Sequence, residues 1–150
     1  MRNIDDFLLT TYSSALKIIL ENTIIENVKG CFMGKMILDD LRKRLERLDE
    51  DADLLIDNDD RYQMVIVGGS AFILLGKLTR ATHDIDALSV PKELYGLLGK
   101  YDINTDVEAY IDNFPYNFQD RLQPLPFGGT KVQFYTPSLE DLVIAKLCSF

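Results

Sequence analysis

Residues 65–90 of the chain read VIVGGSAFILLGKLTRATHDIDALSV. Gly68 and Gly69 close a short apolar run and Ser70 follows. A strand that turns through Gly-Gly-Ser into a helix lets the backbone approach a ligand closely. It also aims free helix N–H groups at an anion such as phosphate. Asp84 and Asp86 come next, with Ile85 between them. Residues two apart on a strand share a face, so these carboxylates stand side by side. Such a pair repels unless it is solvated or neutralised by a cation. Oxygen-only ligation of this kind suits Mg²⁺ or Mn²⁺, with substrate phosphates completing the shell. Each feature alone has an ordinary reading, a tight turn and an exposed strand face. If the two strands are neighbours, a triphosphate and its metal share one pocket. That arrangement serves nucleotidyl transfer, in which a hydroxyl attacks the α-phosphorus and pyrophosphate leaves.

The elements that must position these residues can be read from patterning. Residues 63–67, 83–90 and 131–135 read as strands, with a further strand expected within 103–111. A short apolar helix runs from Ser70, and Pro91 precedes another at 92–100. Residues 101–128 read as irregular, aromatic and proline-bearing. Ser138 and Asp141 have capping-box spacing at the start of a last helix, LEDLVIAKLCSF. That helix stops at Phe150 without a polar or glycine cap, which suggests a chain cut from something longer. Upstream, residues 3–30 have helical spacing, and Ile37, Leu38, Leu41, Leu45 and Leu48 form one apolar stripe of a helix over 34–48. The expected fold is α/β (α+β): a small mixed sheet with flanking helices. Residues 1–61 form a helical N-terminal extension ending in an acidic linker at 49–60, and 62–150 form the core.

Composition narrows the class. With 150 residues, 47% hydrophobic and 27% charged, the chain is a globular protein of about one domain. No apolar run is long enough to span a membrane and no signal peptide is evident, so a cytoplasmic protein is expected. Cys31 and Cys148 give neither a disulfide framework nor a metal spacing. His83 is the only histidine, which leaves little for a His-based metal site or a Ser-His-Asp triad. The net charge of −8 is concentrated: residues 49–60, DEDADLLIDNDD, carry seven acids and no base. A strongly nucleic-acid-binding face is not advertised, although a local basic surface stays open. Asp49, Asp51, Asp53 and Asp60 have the carboxylate spacing of a calcium loop. Leu54 stands where its turn needs glycine, so a solvated acidic loop is the better reading.

The run Gly-Gly-Ser-Ala, then Arg80-x-Thr-x-Asp-Ile-Asp, resembles the nucleotidyltransferase superfamily. Its closest resemblance is to the AbiEii-like branch of type IV toxin–antitoxin nucleotidyltransferases, and PSLEDLVIAKL at 137–147 is similar to a helix of that branch. The resemblance covers about 62–150. It implies a sheet of nucleotidyltransferase type, with a nucleotide bound at Gly68, Gly69 and Ser70 and Mg²⁺ ligated by Asp84 and Asp86. It also implies a phosphate contact from Lys146. Arg80 either steadies the acidic pair or meets a phosphate, or is simply a surface arginine; Lys77 is a weaker basic candidate. Lys146 has its own plain reading as a lysine on the wet face of an amphipathic helix. The implied chemistry is transfer of a nucleoside monophosphate from an NTP to RNA, such as tRNA, or to a protein hydroxyl. The implied partner is a protein antitoxin.

Two departures stand out. Active members of the superfamily carry a third carboxylate, and the corresponding position reads as Gln133; Glu108 and Asp112 are substitutes without a firm alignment. The family's segment after the last helix has no counterpart within these residues. The alternative reading is therefore a module that keeps the fold and binds nucleotide or protein without turnover. A carboxylate beside Asp84 and Asp86 favours the enzyme; an amide or apolar residue there favours the module.

Overall fold

The computed structural model describes residues 37–79 and 82–149. The helical stretch expected at 3–30, the first residues of the helix expected at 34–48, Arg80 and Phe150 lie outside the described residues.

Helix α1 spans residues 37–55. Strand β1 is Tyr62–Val67 and helix α2 Gly68–Leu74; strand β2 is Ile85–Leu88 and helix α3 Tyr95–Leu98. Strand β3 is Ile103–Asn104, β4 Gln123–Gly128, β5 Val132–Thr136, and helix α4 Leu139–Cys148. The protein is thus mixed α/β, as expected. The strands form one mixed sheet in the order β3-β2-β1-β5-β4. β1 runs antiparallel to β2 and parallel to β5, β2 runs parallel to β3, and β4 runs antiparallel to β5.

β1 is central, which explains its composition. Met64 and Ile66 point to one face, Val65 and Val67 to the other, and all four are buried. A strand covered on both sides reads as a continuous apolar run rather than an alternation. The α1 stripe enters the same core through Leu41, Leu45, Leu48 and Ala52.

The acidic segment is not a linker over its whole length, because α1 continues to residue 55. Asp49 is buried, and its carboxylate accepts N–H bonds from Thr130 (3.1 Å), Lys131 (2.7 Å) and Val132 (2.6 Å) at the start of β5. A residue read as one of many solvated acids therefore fastens α1 to the sheet.

Four other expectations change. The helix at 92–100 is broken into a 3₁₀ turn, the short α3 and a second 3₁₀ turn ending at Tyr101, with left-handed Asp102 (φ 54°) after it. β2 is four residues long, where eight were expected. β4 lies in the stretch read as irregular: Pro124 and Pro126 are tolerated because β4 is an edge strand, and its pairing with β5 shifts register between Pro124 and Gly128. The capping box at α4 is half formed. Ser138 accepts the Asp141 N–H at 3.2 Å, but the Asp141 carboxylate is held by Arg121 at 2.9 and 3.0 Å.

Candidate functional site

The antiparallel register of β1 and β2 sets Val67 opposite Asp86. The chain then enters α2 through Gly68, which has φ +65°, a conformation that suits glycine. A Cβ on Gly68 would lie 2.8 Å from Asp86 Oδ2. The close approach that calls for glycine is thus made by a side chain of the site itself. α2 ends after Leu74 in a Schellman motif: Gly76 N–H bonds to Ile73 O and Lys77 N–H to Phe72 O.

Ser70 is buried, and its hydroxyl donates to the Asp84 carbonyl at 3.0 Å. The Thr82 hydroxyl donates to the same carbonyl at 3.0 Å. The Ser70 bond ties the start of β2 to the turn after β1, while the Thr82 bond is local to the chain entering β2. With β1 and β2 paired, Gly68, Ser70, Asp84 and Asp86 fall in one neighbourhood.

Asp84 is exposed and Asp86 half-buried, on the two sides of the buried Ile85. Burial pushes the Asp86 carboxyl above the usual carboxylate range; a hydrogen bond from Asn104 pulls it down and the charge of Asp84 raises it further. A carboxylate placed next to another one and partly withdrawn from water favours a cation.

The group on the other side of Asp86 is an amide. β2 and β3 pair with Asp86 opposite Asn104, and Asn104 Nδ2 donates to Asp86 Oδ1 at 3.3 Å. Asn104 Oδ1 in turn accepts the Asp106 N–H at 3.0 Å. Gln133 does not stand beside the pair. It is opposite Gln63, and Val67, not Gln63, faces Asp86, a separation of about 13 Å along the sheet at ~3.3 Å per residue. Its amide donates to Leu125 O (3.2 Å) and Phe134 O (3.1 Å). Glu108 accepts the Ser89 N–H at 3.1 Å, and Asp112 is exposed on the 3₁₀ segment Asp106–Asn113. Among the described residues, no group of three or more His, Cys, Asp or Glu side chains is placed to hold a metal ion. Asp84 and Asp86 still fit one: Mg²⁺ is commonly held by one or two carboxylates, with substrate phosphates and water supplying the rest.

Lys146 lies on α4 and, with Val67 and Gly68, lines a cavity of about 530 Å³. Gly68 is the residue this cavity shares with the Asp86 carboxylate. Patterning had not picked out the cavity's other wall, formed by Val107, Tyr110, Asn113 and Phe114. The signal was the aromatic content of the segment read as irregular. A second cavity of about 500 Å³ gathers Lys43, Arg44, Arg47 and Lys100, but Asp40, Glu50, Asp51 and Asp102 line it too, so it has no net basic character. No helix among the described residues is long and apolar enough to cross a membrane.

Gly68 thus lies against the Asp86 carboxylate, and Lys146 is on the adjoining cavity. Residues 43–150 match the family described as nucleotidyltransferases of unknown function (DUF6036), and the chain belongs to that family. The match starts within α1, the helix that Asp49 fastens to β5. No curated protein and no solved structure matches the chain.

Proposed function

We propose that the protein transfers a nucleoside monophosphate from an NTP to a hydroxyl of RNA or protein, with Mg²⁺ or Mn²⁺ held by Asp84 and Asp86. The observation that carries this reading is Asp86 Oδ2 lying against Gly68, at the rim of the cavity that Lys146 lines. Gly68, Gly69 and Lys146 serve the phosphates, with Arg80 as a further candidate contact. Ser70 has a different part, since its hydroxyl already holds the Asp84 carbonyl. The bound cation supplies charge neutralisation at the phosphates. The acceptor oxygen forms a bond to the α-phosphorus, the bond to the bridging oxygen breaks, and pyrophosphate leaves with that electron pair. The hydroxyl proton passes to water.

The reading extends, through the AbiEii-like resemblance, to a tRNA acceptor, a toxin role, an antitoxin partner and a cytoplasmic setting. Expression of the wild type beside Asp86→Ala tests the toxin role: growth arrest by both proteins alike would count against it.

Asn104 favours a second reading. An amide beside the pair neither accepts a proton nor ligates as a carboxylate does, and this suits nucleotide binding without turnover.

Thermal shift with each NTP, with and without Mg²⁺, tests the shared first step. At a ligand concentration of ~100 Kd the folded state gains about 2.7 kcal/mol. That is a rise of roughly 5–10 °C for a chain of this size. The shift should need Mg²⁺ and vanish in Asp84→Ala/Asp86→Ala. Labelled transfer to RNA then separates the two readings.

A further inference from the structure

We propose that the cavity beside Gly68 is a nucleobase subsite in which Tyr110 is the stacking face. The proposal rests on the reading of the site as one for a metal-bound nucleotide, and adds where the base lies.

The cavity, at about 530 Å³, is within the range of small-ligand sites. Its lining combines two chemistries. Gly68, with the Asp86 carboxylate against it, and the charged Lys146 are suited to an anion and its cation. Val107, Tyr110 and Phe114, from the 3₁₀ segment and the residue after it, are apolar and aromatic. A ligand matched to both has an anionic, metal-binding portion and a flat apolar portion. A nucleoside triphosphate has this division; an apolar peptide has no group for the charged residues.

Tyr110 is 63% exposed on the polar segment DVEAYIDN. Its ring contributes little to the core and remains open to a ligand. Phe114 is fixed by stacking on Phe118, with ring centroids 4.7 Å apart. An aromatic face accepts any base, because every base has a π-face. The Asn113 amide on the same wall offers a donor and an acceptor to a base edge.

The test is calorimetric titration with Mg²⁺ and either an NTP or inorganic triphosphate, on the wild type, Tyr110→Ala, Tyr110→Phe and Asp86→Ala. One base stack is worth a factor of roughly 5 to 140 in Kd. The wild type should bind its preferred NTP more tightly than triphosphate by such a factor. Tyr110→Ala should lose that margin and leave triphosphate binding unchanged, while Tyr110→Phe keeps it. Because Tyr110 is exposed, its truncation leaves the fold intact. If Tyr110→Ala binds the NTP like the wild type while Asp86→Ala binds neither ligand, the base lies elsewhere and the nucleotide reading survives alone. If the wild type binds neither ligand, both fall together.

Discussion

Gly68→Ala is the most informative substitution, because the structure assigns its cost to two separable causes. The first is backbone strain. A side chain at φ +65° costs about 1–2 kcal/mol. The second is the new methyl, which would lie 2.8 Å from Asp86 Oδ2. Asp86 cannot turn aside freely, since Asn104 holds its other oxygen at 3.3 Å. Driving such a side chain off its rotamer costs a further ~1 kcal/mol. The total is about 2–3 kcal/mol, a fall in Tm of roughly 5–10 °C. The two causes separate in a double-mutant cycle with Asp86→Ala. With the carboxylate gone only the backbone strain remains, so the same substitution should cost about 1 kcal/mol less. Chemical denaturation of the four proteins without Mg²⁺ measures this directly. A neutral Gly68→Ala, or a cost that Asp86→Ala leaves unchanged, would refute the close approach of the turn to the carboxylate. The central observation of the site would go with it.

Three further outcomes are expected. The Asp86 carboxyl titrates higher in the folded protein than in the unfolded chain, so its contribution is fully present below the unfolded carboxylate range and is lost as pH rises through the folded value. Asp86→Asn should therefore be more stable than the wild type at neutral pH without Mg²⁺, and the gap should close in acid; a gap that is constant with pH contradicts the assigned cause. Asn104→Asp puts a third carboxylate next to Asp86, and should lower Tm in a metal-free buffer and recover it with Mg²⁺. Labelled transfer that rises in this variant identifies the missing group, and a Tm that Mg²⁺ does not restore argues against a cation at the pair. Asp49→Ala strips three backbone N–H groups of their acceptor and should cost about 3 kcal/mol in urea unfolding. A loss under ~1 kcal/mol would mean that water replaces the carboxylate there.

The glycine turn and the strand after it were legible because their signals are local. Gly-Gly-Ser after an apolar run depends only on φ freedom, and the strand on apolar residues that lie next to one another, although β2 begins at Ile85 and leaves Asp84 just before it, off the strand expected at 83–90. The apolar stripe of α1, the all-apolar central β1 and the Ser138 cap were readable for the same reason. What the sequence could not assign was which distant segments meet. Sheet order and register decide that Asn104, not Gln133, stands beside Asp86, and nothing within either strand encodes its neighbour. Asp49 looked like one acid among seven until the fold set the start of β5 against it. β4 was hidden because its two prolines are compatible with a strand only at a sheet edge, and being at an edge is a property of the assembled sheet. The residue types determined where a turn with left-handed freedom and two closely spaced carboxylates fall in the chain. The tertiary structure alone decided that an amide completes the first contacts of Asp86 and that an aromatic-walled cavity opens beside Gly68, because both depend on long-range pairing.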